Sequence, residues 1–202
     1  MTPEKHKPGY CHDIDIEPET RGHRKRARQI ADFVHPRPSD SVADIGKKNT
    51  KSELLKKYLD IEIDQVYADD FNFDTFQTAK KYDVVFCFEV LEHLQNPLWF
   101  LKQVKGLIKD DGIIYLSTPY RIEYLWSELH FHEMSHTRIQ RWLLSPLGLK
   151  ILRKKRMRYI KEYRQFLIGI RPIFRLLTTF NFAPILNIFF TYTFIYEIRH
   201  ER

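Results

Sequence analysis

Cysteine is scarce in this chain of 202 residues: Cys11 lies in a polar leader and Cys87 in an apolar run, which is no basis for a disulfide framework. A reducing, cytoplasmic compartment fits that pair better than an oxidising one. An apolar signal region is missing as well, because Met1 to Tyr10 is polar, so export is not expected. Long apolar runs are absent too. The most apolar stretch, Phe180 to Ile198, is broken by Asn181, Pro184 and Asn187 and falls far short of the ~20 residues a membrane span needs. Core or lid packing is expected there, with an interfacial membrane contact helped by Arg171 and Arg175 as the alternative. The sequence holds no internal repeat and no specific nucleic-acid motif. Acidic residues are outnumbered 26 to 33 by Lys and Arg, leaving a net charge of +7.

That positive charge is concentrated. One cluster is Arg21, His23, Arg24, Lys25, Arg26 and Arg28; the other is Lys150, Arg153, Lys154, Lys155, Arg156 and Arg158. Both read either as solvated faces or as the footprint of an acidic partner such as nucleic acid, anionic lipid or a phosphorylated glycan carrier. The apolar share of 43% and charged share of 29% are those of a globular protein, and the length suits one domain with a sizeable core.

Residues 1–19 read as a flexible leader with prolines at 3, 8 and 18, and 20–202 as the single domain. Arg21 to Val34 patterns as an amphipathic helix stopped by His35-Pro36-Arg37-Pro38. Val42 to Ile45 is a first strand, and Thr50 or Ser52 can cap a helix carrying Leu54, Leu55, Tyr58 and Leu59. Ile61 to Asp64 and Val66 to Ala68 both read as strands. A parallel crossover needs ~10 residues, which Gln65 alone cannot supply, so a shortened sheet is expected. Val84 to Phe88 is a buried run of β-branched and aromatic residues, the mark of a central parallel strand. Asn96-Pro97 starts a helix with Leu98, Leu101, Val104, Leu107 and Ile108 at helical spacing. Asp110-Asp111-Gly112 reads as a turn, and Ile113 to Ser117 as a strand closed by Thr118-Pro119. Tyr120 to His132 reads as an aromatic loop, and Ser135 to Leu144 as a helix. Leu149 to Met157 suits an edge strand with one wet face. Phe166 to Leu177 patterns as a helix and Thr191 to Arg199 as a strand.

The strand ending at Phe88 leaves Glu89, Glu92 and His93 at its exit, where open α/β sheets bind their ligands. Two carboxylates and an imidazole can act as base and orienting groups for a hydroxyl nucleophile. An equally plain reading makes Glu92 and His93 hydrogen-bonded structure at the head of the next helix. Farther on, His132-Glu133-Met134-Ser135-His136 matches the pattern of zinc peptidases, whose two histidines share one helix face. Ser135 as a helix N-cap would make these histidines straddle the helix start, so no zinc is expected there. His130 and His132 read instead as groups lining an acceptor mouth, or as ordinary loop histidines.

The series of strand, acidic loop, helix, Asp-Asp-Gly and strand with Glu89-Val90-Leu91-Glu92-His93 at its centre resembles the class I methyltransferases that use S-adenosylmethionine. The resemblance covers roughly residues 20 to 155. It implies an α/β, Rossmann-like doubly wound sheet, here with a shortened middle region and an aromatic C-terminal addition over about 160–202. Asp44-Ile45-Gly46 looks like the family's first strand and glycine loop, although Lys48 and Thr50 stand where further glycines would. On this resemblance Asp44, Gly46, Asp64, Asp70, Phe71 and Phe88 are the implied cofactor-binding residues: Asp64 for the ribose hydroxyls, Asp70 for the adenine amine, and Phe71 as an apolar wall. Glu89, Glu92, His93 and His132 are the implied catalytic residues, and the first three resemble a subgroup's cluster that can bind a divalent ion. The implied reaction passes a methyl group to an oxygen or nitrogen of a small-molecule, glycan or lipid-linked acceptor. A degenerate fold serving as a binding or assembly subunit is the alternative, and the cytoplasm, with a peripheral membrane contact, is the implied setting.

Overall fold

The computed structural model describes residues 18–121, 130–158 and 191–201. Residues 1–17 of the leader, 122–129 of the expected aromatic loop, the expected helix Phe166 to Leu177 and residues 180–190 of the apolar stretch lie outside the described residues. Helix α1 (Arg21–Ala31) opens on a reciprocal cap, in which Thr20 Oγ1 accepts from the His23 amide at 3.1 Å and the His23 ring accepts from the Thr20 amide. It stops three residues before Val34, yet Phe33 and Val34 still fold inward and are buried. Strand β1 (Val42–Ile45) is followed by α2 (Thr50–Leu59). The cap of α2 is Asn49 rather than Thr50 or Ser52. Its Oδ1 accepts from the amides of Lys51 at 2.9 Å and Ser52 at 3.1 Å, one residue earlier than expected.

In place of the two short strands expected between α2 and the buried central strand, a single one joins the sheet. It is β2 (Asp64–Val66), which straddles Gln65 and runs parallel to β1 with Ile45 opposite Val66. From Tyr67 to Lys81 the chain then crosses β1 without a regular helix and enters β3 (Tyr82–Phe88). The middle region is therefore shortened by a strand and a helix. This is the outcome forced by a one-residue gap that no crossover can span.

Helix α3 (Pro97–Leu107) starts at Asn96, whose side chain accepts from the Trp99 amide. Strand β4 (Ile108–Arg121) is longer than expected at both ends. Asp110-Asp111-Gly112 forms a bulge within it: Tyr82 of β3 pairs with Ile108 and Val84 with Ile113, so β4 has the longer path. A Cβ on Gly112 would stand 2.9 Å from both Ile108 Cβ and the Lys109 carbonyl oxygen, so the bulge closes only around glycine. Pro119 does not end the strand. It lies past Ser117, the residue opposite the last residue of β3, where β4 has already lost one neighbour.

Ser135 caps a short α4 (His136–Arg138) that continues as a π-helical turn (Ile139–Leu144) and a 3-10 turn (Ser145–Leu147). Among the described residues, strands β5 (Leu149–Arg158) and β6 (Thr191–His200) complete one six-stranded sheet in the order β2-β1-β3-β4-β6-β5, with β6 antiparallel to both neighbours. Gln140 closes the outer start of β5: its Nε2 donates to the Leu149 carbonyl at 3.0 Å and its Oε1 accepts from the Ile151 amide at 2.8 Å.

The central strands are buried on both faces, as their unbroken apolar runs require. Val84 and Phe86 pack on one face with Ala27, Ile30, Leu54 and Leu55 from α1 and α2. Val85 and Cys87 pack on the other with Phe100, Leu101 and Val104 from α3 and Leu143 and Leu144 from the π-helical turn. The sheet is doubly wound, and the carboxyl ends of β1, β3 and β4 open at one rim. Among the described residues no helix is long and apolar enough to cross a membrane.

Candidate active site

Gly46 leaves β1 with φ 132°, a conformation that side chains rarely adopt, and its amide donates to the Val66 carbonyl at 2.9 Å. Asp44, two residues earlier, is buried and accepts from the Ser52 hydroxyl at the start of α2. Burial pushes its pKa up to about 6, against the opposing effects of the Ser52 hydrogen bond and nearby Lys51. At the end of β3, Phe88 stacks on Phe86 with centroids 5.2 Å apart, and Glu89 turns the chain with φ 58°.

Glu89 is held on three sides. Ser117 Oγ of β4 donates to its Oε1 at 2.7 Å, Arg26 Nη2 of α1 donates to its Oε2 at 2.8 Å, and the Glu89 amide donates to the Ser117 carbonyl. The same Arg26 nitrogen donates to Thr193 Oγ1 of β6 at 3.0 Å, so one guanidinium ties α1 to both strand ends. Burial alone would raise the Glu89 pKa, but Arg26, Lys51 and the Ser117 hydrogen bond together hold it below the ordinary value. Lys51 itself is pushed down, by burial first and then by the Arg26 charge.

Glu92 is the opposite case. It sits in a one-turn 3-10 helix (Leu91–His93), is 1% exposed, and among the described residues neither carboxylate oxygen has a hydrogen-bond partner. Burial and the neighbouring Glu89 charge raise its pKa well above the usual carboxylate range. Ligand atoms of Glu92, His93 and His130 lie within 4.8 Å of one another, and the His93 and His130 rings meet edge to face. An unpartnered buried carboxylate beside two imidazoles is a donor set that fits a divalent ion. It differs from the expected set because Glu89 is committed to Arg26 and Ser117, while His130 arrives from a segment nearly forty residues away.

Several expected roles are overturned by position. Asp64 begins β2 instead of following it, and its carboxylate pairs with Lys80 on the exposed sheet edge, away from the strand ends. Phe71 is core: it is buried against Tyr67, Phe76 and Phe100 with centroids 5.5 to 5.9 Å apart, leaving no face for an adenine. His132 is structural. Its Nε2 bonds the Leu94 carbonyl at 3.0 Å, and burial lowers its pKa. Asp70 stands just beyond β2, where its Oδ1 accepts from both the Asn72 amide and the Asn72 side chain. Lys48, in the place of a family glycine, points outward and pairs with Glu53 at 3.2 Å.

Arg26, Lys51, Ser117 and Glu133 are the residues that sequence reasoning passed over as site members, while His130, expected at an acceptor mouth, stands in the cluster with Glu92 and His93. Arg26 carried a signal, since it precedes Ile30 by one helical turn and so sits at the border of the inward stripe. Arg153 of β5 donates to the Phe33 carbonyl after α1 and lies 4.8 Å over the Phe33 ring.

Comparison with known proteins agrees with this geometry. The ubiquinone biosynthesis O-methyltransferase of Haemophilus ducreyi is 38% identical over 69 residues, which are 34% of this chain and 29% of that protein. The chain thus spans less than a third of that relative's length. Among solved structures, a chain of the complex between the Haloferax volcanii Trm112 methyltransferase activator and its methyltransferase superposes with a TM-score of 0.56 at 16% identity, over 88% of this chain and 91% of that one. Coclaurine N-methyltransferase bound to N-methylheliamine and S-adenosylhomocysteine superposes with a TM-score of 0.52 at 12% identity, over 88% and 70%. At such identities these likenesses carry the fold. The methyltransferase domain family matches residues 12–159, nearly three quarters of the sequence, and the chain belongs to that family.

Proposed function

We propose that this chain is an S-adenosylmethionine-dependent methyltransferase acting on an acceptor oxygen. The observation that carries the reading is the charge-sorted pair at the exit of β3: Glu89 held as an anion by Arg26, and Glu92 buried without a partner, both beside the glycine turn of β1. Family membership supports the reaction class, and the O-methyltransferase relative supports an oxygen acceptor. The cofactor supplies a methyl group on a positively charged sulfur, so the protein's task is mainly positioning. Gly46 permits close backbone approach, Asp44 and Phe88 flank that approach, and the anionic Glu89 faces the same space. His93 or Glu92 takes the acceptor proton. A divalent ion held by Glu92, His93 and His130 would supply a Lewis acid for the acceptor oxygen.

The runner-up is a methyltransferase fold without catalysis. It is favoured by Lys48 and Thr50 in glycine positions and by the displacement of Asp64 from the strand ends. S-adenosylmethionine and its demethylated product should each raise the melting temperature with concentration, as a ligand of the native state must. A folded sample that does not shift at millimolar cofactor selects the runner-up. Lys48→Gly should leave the affinity within about twofold, because an exposed lysine paired on the surface contributes little. A collapse in affinity would make Lys48 a contact.

For the acceptor's setting we propose an anionic membrane surface, met by the basic residues of α1 and β5. Arg21, Lys25 and Arg28 are exposed on α1, Lys154 and Lys155 on β5, and Leu152 and Trp142 are exposed too, Trp142 at 65%. Such a mixture of cations and an aromatic suits a headgroup layer. Vesicles containing phosphatidylglycerol should sediment the protein at low salt and release it at high salt, and Lys25→Glu with Lys155→Glu should abolish the effect. Binding to a single-stranded RNA without binding to vesicles would reassign these residues to nucleic acid.

A further inference from the structure

The segment His130-Phe131-His132-Glu133 has the look of half a zinc-peptidase motif, and each of its residues is engaged in another way. The Phe131 amide donates to the Glu92 carbonyl at 2.9 Å, and His132 Nε2 bonds the Leu94 carbonyl. These two bonds zip the segment onto the turn that carries Glu92 and His93, and they fix its register there. Glu133, 5% exposed, then places its Oε1 2.6 Å from His130 Nδ1, while the His93 ring stands edge-on to His130 at 4.8 Å.

We infer that Glu133 is a positioning residue: its carboxylate accepts the Nδ1 proton of His130 and so presents the Nε2 lone pair of that histidine to Glu92 and His93. An imidazole has two nitrogens, and a bond made by one decides what the other offers. With Nδ1 occupied, Nε2 is the nitrogen that His130 has left for the cluster. In the opposite arrangement, a protonated Glu133 would donate to Nδ1, and Nε2 would carry hydrogen and be useless as a ligand or base. The inference rests on the proposed function for its purpose, but the tautomer itself does not depend on it. Buried carboxylates behind ligating histidines act in this way elsewhere, and removing one costs ~10–100-fold in metal affinity.

The test is nitrogen NMR of the His130 ring in the protein without metal or cofactor, assigned with His130→Gln. Wild type should carry the proton on Nδ1. Glu133→Ala should move it toward Nε2, and Glu133→Gln, whose amide oxygen can still accept, should retain the wild-type tautomer in large part. Manganese, followed by its paramagnetic resonance, should bind wild type and weaken ~10–100-fold in Glu133→Ala, while the thermal shift with S-adenosylhomocysteine stays unchanged. An Nε2 proton in wild type, or a tautomer that ignores Glu133→Ala, overturns the inference. Failure of manganese to bind wild type would remove the ion from the proposed function, and the metal-free tautomer would still decide the role of Glu133.

Discussion

Arg26→Ala should destabilise the protein by about 3 kcal/mol, the usual cost of deleting one partner of a mostly buried ion pair. For a chain of this size that lowers the melting temperature by ~6–12 °C. The Arg26 and Glu89 side chains are 23% and 16% exposed, so water screens their 2.8 Å contact poorly. The loss is worse than a missing contact, because a carboxylate remains against Ser117 without its strongest balancing charge. Glu89→Gln in the Arg26→Ala background should therefore recover most of the deficit, since an amide still accepts from the serine. The pH dependence has a definite sign. The folded-state pKa of Glu89 lies below its unfolded value, so the pair's stabilisation is present above the ordinary carboxylate range and fades as pH falls through the folded pKa. Wild type and Arg26→Ala should thus converge in acid. A difference under about 1 kcal/mol at neutral pH would place the pair with screened surface bridges.

Gly46→Val should eliminate the cofactor-induced thermal shift. In wild type, cofactor at a hundred times its dissociation constant should add about 2.7 kcal/mol to the stability. A β-branched side chain at φ 132° costs ~1–3 kcal/mol in backbone strain, and its methyl groups project where the cofactor must approach. The variant is thus less stable as well as blind to ligand. Titration calorimetry at low temperature, where the fold survives, separates the two effects. Cofactor heat that persists unchanged in Gly46→Val would mean that the glycine turn is not the point of approach.

Much of the architecture was legible because its signals are local. The buried run of β3, the Asn96-Pro97 start of α3 and the basic run of β5 each announce one element within ten residues. The shortened middle region could also be inferred, from the plain impossibility of a crossover at Gln65. The roles given to Asp64 and Phe71 went wrong for separate reasons. A twenty-residue offset from Asp44 presumes that the second strand has ended by then, but α2 runs to Leu59 and β2 begins only at Asp64; Phe71 follows β2 in the shortened middle region and turns into the core. The grouping of Arg26 with Glu89, or of His130 with Glu92, joins residues 63 and 38 positions apart through the sheet. No spacing rule reaches that far. His132 was misjudged because the histidine that enters the cluster and the one that braces the backbone are two residues apart on the same segment.

Gln140 also bears on how the molecule behaves in company. An exposed strand border is a template on which another chain can build, and the danger is greatest where apolar residues alternate along it. Along β5 that stretch is Leu149 to Ile151, and there the side-chain amide of Gln140 already fills both backbone positions that an incoming strand would seek. Farther along, Lys154 and Lys155 leave the border open but lined with like charge, which repels a second copy in the same register. The fold thus divides the defence against self-association between a plug and a charge.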